Sequence, residues 1–159
     1  MTMSPVVLAI DPGTEKSGYV LFDGTTITGH GTAANDDILT LIDAQCYDQI
    51  AVEMVSSYGQ RVGREVFETV YWTGRFDERA RLYRCPAERI TRREIKNWIC
   101  PNVSKSNDSA IRLSLIDMWG GKEEAVGRKA APGPLYGIKS HAWAALAVAV
   151  THLKQKGLL

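Results

Sequence analysis

A short apolar stretch near the amino terminus decides the fold, PVVLAIDPG at residues 5–13. It is rich in β-branched side chains and ends in Asp-Pro-Gly, which predicts a buried β-strand that leads into a turn. A second stretch of this kind, QIAVE at residues 49–53, also ends in an acidic residue. If the two strands are neighbours in the sheet, Asp11 and Glu53 are expected to lie together at one edge.

The rest of the chain predicts a mixed sheet flanked by helices. Asp23-Gly24 is a hairpin sequence between short strands at 19–22 and 25–28, so the first three strands are expected to be antiparallel. A further strand is predicted near 88–90. Apolar residues at helical spacing, with capping residues at Asn35 or Asp36 and at Thr91 with Glu94, predict helices over 35–45, 63–81, 91–98, 108–119 and 140–153. The expected fold is α/β, with three antiparallel strands followed by parallel strands.

Length and composition indicate one soluble globular domain. The chain has 159 residues, of which 45% are hydrophobic and 23% charged, and no linker or repeat divides it. Glycine and proline gather without apolar spacing in residues 120–137, which predicts a mobile loop. No apolar run is long enough to cross a membrane and no secretory signal is visible, so a cytoplasmic protein with no membrane partner is expected. The three scattered cysteines indicate neither a disulfide framework nor a zinc site.

The net charge of +1 conceals an uneven distribution along the chain. Residues 1–60 contain eight acidic residues and one basic residue, whereas residues 61–159 contain ten acidic and eighteen basic residues. Ten of these basic residues fall within 61–96, and most are arginines, which suit phosphate oxygens. The alternative is that many of them pair with acids on the same helix. The distribution predicts an acidic cation site and a basic surface for a polyanion.

Asp11 and Glu53 point most directly to chemistry. Two carboxylates held close together need a counterion, and hard oxygen ligands suit Mg²⁺ or Mn²⁺. A pair of such ions about 3.5–4 Å apart is a common means of directing water onto a phosphodiester. The alternative for either acid alone is a solvated turn residue or a helix cap. The glycine-containing turn after Asp11 and the apolar residues before Glu53 favour a functional site.

Several motifs resemble, in order and over almost the whole chain, those of the RuvC-type Holliday-junction resolvases. They are AIDPGT at 9–14 with Gly18, IAVE at 50–53, Ile95-Lys96, and HAWAALAVA at 141–149 with Thr151-His152. The resemblance implies an RNase H-like fold and a metal-dependent endonuclease that cuts four-way DNA junctions by symmetric nicking. It also implies a homodimer through the helix around 62–80. The small size favours a phage or prophage member of the family.

The resemblance implies that Asp11, Glu53 and His141 bind Mg²⁺ or Mn²⁺, with two ions expected. Ala144 stands where the family has an acid, one helical turn after His141. Three explanations are open: three ligands suffice, another acid such as Asp108 replaces the missing one, or the chain binds branched DNA without cutting it. Asp108 also has an alternative explanation, because Asn107-Asp108 before Ile111 is typical of the N-cap of a helix.

Cationic side chains are expected to neutralise phosphate charge during cleavage. Lys96 and Lys105 resemble two lysines near the family's site, and Lys105 is the expected catalytic one; ordinary surface lysines are the alternative. Tyr58 is expected to stack on a base. The expected DNA-binding residues are Tyr58, Arg61, Arg64, Arg92, Arg93 and Lys96.

A second resemblance leads to a different class of enzyme. DPGT at 11–14 with Gly18 is also similar to the phosphate-binding hairpin of sugar kinases and actin-like ATPases. Those proteins enclose a nucleotide between two such domains, whereas 159 residues supply one. Glu53 at the end of a buried strand also favours the nuclease.

Overall fold

The computed structural model describes residues 3–159 and shows a five-stranded sheet with helices on both faces. The strands are β1 (Val7–Asp11), β2 (Lys16–Phe22), β3 (Ile27–Ala34), β4 (Gln49–Met54) and β5 (Glu88–Thr91). The main helices are α1 (Asn35–Asp43), α2 (Arg64–Arg81), α3 (Arg92–Ile99), α4 (Asp108–Met118) and α6 (His141–Gln155). The strand order is β3-β2-β1-β4-β5. Strands β1 to β3 are antiparallel and β1, β4 and β5 are parallel, which confirms the predicted α/β architecture.

Strand β1 is the centre of the molecule, and its side chains alternate between two cores. Val7 and Ala9 pack on the face covered by α6, whereas Leu8 and Ile10 pack against α1 and α2 on the other face. All four are fully buried. A strand covered on both faces needs apolar side chains in both directions, which explains the continuous apolar run in the sequence.

The start of α6 is fixed by a close approach to β2 at Gly18. This glycine lies opposite Asp11 in the antiparallel pair of β1 and β2. A Cβ atom at Gly18 would lie 2.7 Å from Cβ of His141 and closer still to the His141 carbonyl group. Only glycine leaves room for this contact, so the main chain of His141 is seated beside the end of β1.

The segment 120–137, expected to be a loop, instead contains regular structure. It forms the short helix α5 (Lys122–Ala125) and a hairpin of β6 (Gly127–Arg128) and β7 (Ala131–Pro132). Ala125 and Leu135 are fully buried. The loop prediction was wrong because only these two apolar side chains anchor the segment, and two such residues give no periodic pattern in the sequence. The mobility of the segment stays a prediction.

The described part of the chain contains no helix long and apolar enough to span a membrane.

Replacing Gly18 with alanine is expected to lower the free energy of unfolding by about 1–3 kcal/mol, because the added methyl group meets main chain that cannot rotate away. Urea denaturation measures the change. Gly74→Ala in α2 is the matched control, since a Cβ atom there meets nothing within 4 Å. The control is expected to leave stability unchanged or raise it by up to about 1 kcal/mol. Equal losses in both variants would contradict the close approach.

Candidate functional site

Buried polar side chains hold the turn that follows Asp11. The Ser17 hydroxyl donates to Oδ1 of Asn35 over 2.6 Å and accepts from the Gly13 amide over 3.2 Å. The Asn35 side-chain amide donates to the Gly13 carbonyl over 3.0 Å. Asn35, expected as a helix cap, therefore braces this turn instead, and the N-cap of α1 is Ala34, which makes no side-chain cap. The network fixes the path of the chain directly after Asp11.

Asp11 and Glu53 meet in a cleft of about 550 Å³ at the carboxyl ends of two adjacent parallel strands. Strand β1 ends at Asp11, and β4 carries Glu53 one residue before its end. The walls come from α3, α4, α6 and the residue before α6. The cleft is lined by Asp11, Glu53, Arg92, Asp108, Ile111, Arg112, Ser140, His141, Trp143 and Ala144. The structure thus brings together the acids that the sequence placed at one sheet edge. We call this the acidic cleft.

His141 is the first residue of α6, and its side chain lines the acidic cleft. Its Nδ1 atom lies 3.2 Å from Oδ2 of Asp11. The His141 side chain is 62% exposed and that of Asp11 only 18%, so the histidine is at the mouth and the carboxylate at the floor. Ala144 lines the same wall one turn later and offers no ligand atom.

The two floor carboxylates are held in conditions that disfavour their charge. Burial is the main cause that raises the pKa of Asp11 above its ordinary value of 3.8, against the opposing effect of His141. Burial, and then the negative charge of Asp11, raise the pKa of Glu53 to about 7. Near neutral pH Glu53 is therefore only partly ionised when no cation compensates its charge.

Arg92 connects the floor of the cleft with its rim. Its Nη1 atom lies 3.9 Å from Oε1 of Glu53, and its Nη2 atom contacts Oδ1 of Asp108. Asp108 is the first residue of α4 but does not cap it: the N-cap is Asn107, whose side chain accepts from the Ala110 amide over 3.0 Å. The helix cap expected at Asn107-Asp108 is thus present, but Asn107 makes it and Asp108 takes no part. Its carboxylate is left to pair with Arg92.

A second cleft, of about 430 Å³, adjoins the acidic cleft and shares Arg92 with it. We call it the basic groove and define it by Tyr58, Arg92, Arg93, Lys96 and Lys105. Four of the six expected DNA-binding residues thus line one surface. Arg61 and Arg64 line neither cleft and are exposed before and at the start of α2. Lys105, expected to act in catalysis, lines the groove and not the acidic cleft.

Two lining residues were missed by sequence reasoning, Arg112 and Trp143. The Arg112 guanidinium lies 4.7 Å from the centre of the Trp143 ring, a cation–π contact. The indole Nε1 atom of Trp143 is buried and has no hydrogen-bond partner within residues 3–159. Arg112 follows Asp108 by four residues, so the helical repeat could have revealed it. Trp143 lies in an apolar run and resembles an ordinary core residue.

A divalent ion would be held at Asp11 and Glu53. Among residues 3–159, no group of three or more His, Cys, Asp or Glu side chains is arranged to hold a metal ion. The donor set nevertheless fits Mg²⁺, which proteins bind through one or two carboxylates while water and substrate phosphates supply the other ligands. The raised pKa of Glu53 also favours a cation site, because burial and the charge of Asp11 outweigh the positive charge of Arg92.

Comparisons with known proteins agree on the fold. No protein-family model matches the chain, and no curated protein matches it in sequence. Thermus thermophilus RuvC in complex with a Holliday junction substrate matches with a TM-score of 0.69 and 18% identity, covering 97% of both chains. A second structure of Thermus thermophilus RuvC matches with a TM-score of 0.68 and 17% identity, covering 96% of this chain and 97% of the other. At this identity the likeness concerns architecture, and the chain has the RNase H-like fold of RuvC.

Proposed function

We propose that the chain is a metal-dependent endonuclease that resolves four-way (Holliday) or other branched DNA junctions by symmetric nicking. The observation that carries this proposal is the buried pair of Asp11 and Glu53 beside a basic groove. The fold supports it, since one of the similar structures is RuvC in complex with a Holliday junction substrate. The protein would act in the cytoplasm of a bacterium or a phage-infected host, where such junctions form.

The residues of the acidic cleft would have different roles according to where they lie. Asp11 and Glu53 would hold Mg²⁺ or Mn²⁺, with His141 as a further ligand and two ions in all. A bound ion would supply Lewis acidity toward the scissile phosphate and lower the pKa of the attacking water. His141 also holds the Asp11 carboxylate through its contact at the cleft mouth.

The basic groove would bind the DNA backbone next to the cut. Arg92, Arg93, Lys96 and Lys105 supply positive charge along one surface, and Tyr58 offers an exposed ring for stacking. Lys105 is the proposed catalytic lysine. Arg112 lies in the acidic cleft itself and is a second candidate for neutralising the developing phosphate charge.

Ala144 favours one alternative function. The cleft wall beside His141 lacks the carboxylate that the family resemblance leads one to expect. The chain would then be a catalytically impaired module that binds branched DNA without cutting it.

Wild-type protein is expected to introduce symmetric nicks into a synthetic four-way junction when Mg²⁺ or Mn²⁺ is present. Asp11→Asn is expected to abolish nicking, because it removes one of two floor ligands. The variant should keep or improve junction affinity, since one charge that repels phosphate is lost. Denaturing gels of labelled strands and mobility shifts measure the two quantities. Equal cleavage by wild type and variant would remove Asp11 from the mechanism.

Three further variants in the same assay separate the alternatives. If the wild-type protein binds the junction without nicking it, and Ala144→Asp nicks it, the chain is the catalytically impaired module. Lys105→Ala and Arg112→Ala compare the two cations: the catalytic one should lower the single-turnover cleavage rate by roughly 100-fold or more with little effect on affinity. A change in affinity alone would assign that residue to backbone binding. No junction-selective binding by any form would exclude both functions.

Without divalent ions, stability is expected to fall as the pH rises. The pKa of Glu53 is 4.5 in the unfolded chain and about 7 in the folded one, so its protonated form stabilises the fold below pH 4.5, and this contribution is lost as the pH rises through 7. The loss amounts to up to about 3 kcal/mol. Urea unfolding in EDTA between pH 5 and pH 8 measures it. Mn²⁺ at pH 8 should restore stability by binding the folded state.

Glu53→Gln is the control for this titration, because glutamine keeps the shape of the side chain and cannot ionise. The difference between the pH profiles of wild type and variant isolates Glu53 from the other titrating groups. Parallel profiles would show that Glu53 titrates normally.

A homodimer through α2 completes the proposal. This helix exposes Phe67 and Tyr71, which lie one turn apart, while its opposite side buries Thr73, Phe76 and Ala80. A four-way junction has two equivalent strands to cut, and a two-fold dimer would present one acidic cleft to each.

Substituting Phe67 or Tyr71 with serine is expected to convert a dimer into a monomer, because each change removes an exposed apolar anchor from the interface. Sedimentation velocity measures the mass. Leu113→Ser removes an equally exposed apolar side chain from α4 and serves as the control. A monomeric wild-type protein, or dissociation by the control alone, would exclude the α2 interface.

A further inference from the structure

Arg92 is shared between two carboxylates that lie in different surroundings. Glu53 is 14% exposed at the floor of the acidic cleft, whereas Asp108 is 88% exposed at its rim. The Nη2 atom of Arg92 contacts Asp108 directly, while Nη1 stays 3.9 Å from Glu53. The guanidinium group is therefore drawn toward the rim.

The main chain on either side of this ion pair is anchored independently of it. Thr91 and Glu94 form a reciprocal capping box in front of Arg92, with Thr91 N to Glu94 Oε2 at 2.7 Å and Glu94 N to Thr91 Oγ1 at 3.3 Å. Asn107 caps α4 in front of Asp108. Since both helix starts are fixed by their own caps, the side chain of Arg92 is the element free to change partners.

We propose that Asp108 is a positioning residue that acts through Arg92: by holding the guanidinium at the rim, it leaves the Glu53 carboxylate open to a divalent cation. This inference rests on the proposed function. It assigns Asp108 a role different from that of a substitute metal ligand. It also explains why an exposed acid is paired with the one arginine that lines both the acidic cleft and the basic groove among the described residues.

Competition for Glu53 is the physical basis of the proposal. Arginine stays charged at any working pH and forms strong paired hydrogen bonds with a carboxylate. Without Asp108, Glu53 is the nearer remaining partner, and a guanidinium seated on it would occupy the oxygens that a cation needs. With Asp108 present, the same guanidinium remains at the entrance to the groove, where the phosphate backbone would pass.

The test is a double-mutant cycle on Mn²⁺ binding by the DNA-free protein, followed through the electron paramagnetic resonance of free Mn²⁺. Asp108→Asn is expected to weaken Mn²⁺ binding roughly five-fold, because Arg92 moves onto Glu53. Arg92→Gln is expected to tighten it by a similar factor. The double variant should bind as Arg92→Gln does, because Asp108 has no effect without the arginine.

A different pattern would overturn the proposal. If Asp108 were itself a ligand, Asp108→Asn would weaken binding by the same factor in both backgrounds. Asp117→Asn on α4 and Arg128→Gln on β6 are the matched controls, since they remove the same charges outside the acidic cleft and the basic groove, and each should change the affinity by less than about two-fold. Urea denaturation of every variant detects loss of fold.

Asp11→Asn separates failure of this inference from failure of the proposed function. If wild type and Asp11→Asn bind Mn²⁺ equally, or neither binds it, the proposed metal site and the inference fall together. If Asp11→Asn abolishes binding while Asp108→Asn has no effect, or an additive one, only the inference is overturned.

Discussion

The burial of two carboxylates side by side, Asp11 and Glu53, is the constraint around which the rest of the site is arranged. Both side chains sit at the ends of buried strands, where water cannot screen their charges well. The fold surrounds them with partial compensation, from His141 at the mouth and Arg92 at one side. Their combined effect does not outweigh burial, and the pKa values of both acids stay raised. Such a buried pair carries an electrostatic cost that a bound cation would relieve.

Asp11, Glu53 and His141 come from three distant parts of the chain, and each part is held by interactions that do not involve the two carboxylates. Ser17 and Asn35 brace the turn after Asp11. The parallel pairing of β1 and β4 brings Glu53 alongside, and the close contact at Gly18 seats the start of α6. None of these contacts uses the two carboxylate groups. Burial raises the pKa of Glu53 to about 7, so its charged form opposes folding.

The sequence predicts those parts of the fold that depend on local patterns. The two buried strands, the acids at their ends and the capping box at Thr91 are all visible as short motifs, and the structure has each of them. What escapes prediction depends on tertiary contacts. Asn35 has the sequence of a helix cap, yet a neighbouring strand draws its side chain into a turn. Arg112 becomes part of the cleft only because α4 packs near α6. Its stacking partner Trp143 lies in an apolar run, where nothing in the local sequence distinguishes it from a core residue.

The start of α6 contacts β2 through the main chain, since Gly18 has no side chain and lies against the carbonyl group of His141. The position of the helix is therefore independent of which side chains it presents at 141 and 144. Substitutions at 141 and 144 would therefore change which chemical groups face Asp11 while leaving in place the contact that fixes the start of the helix.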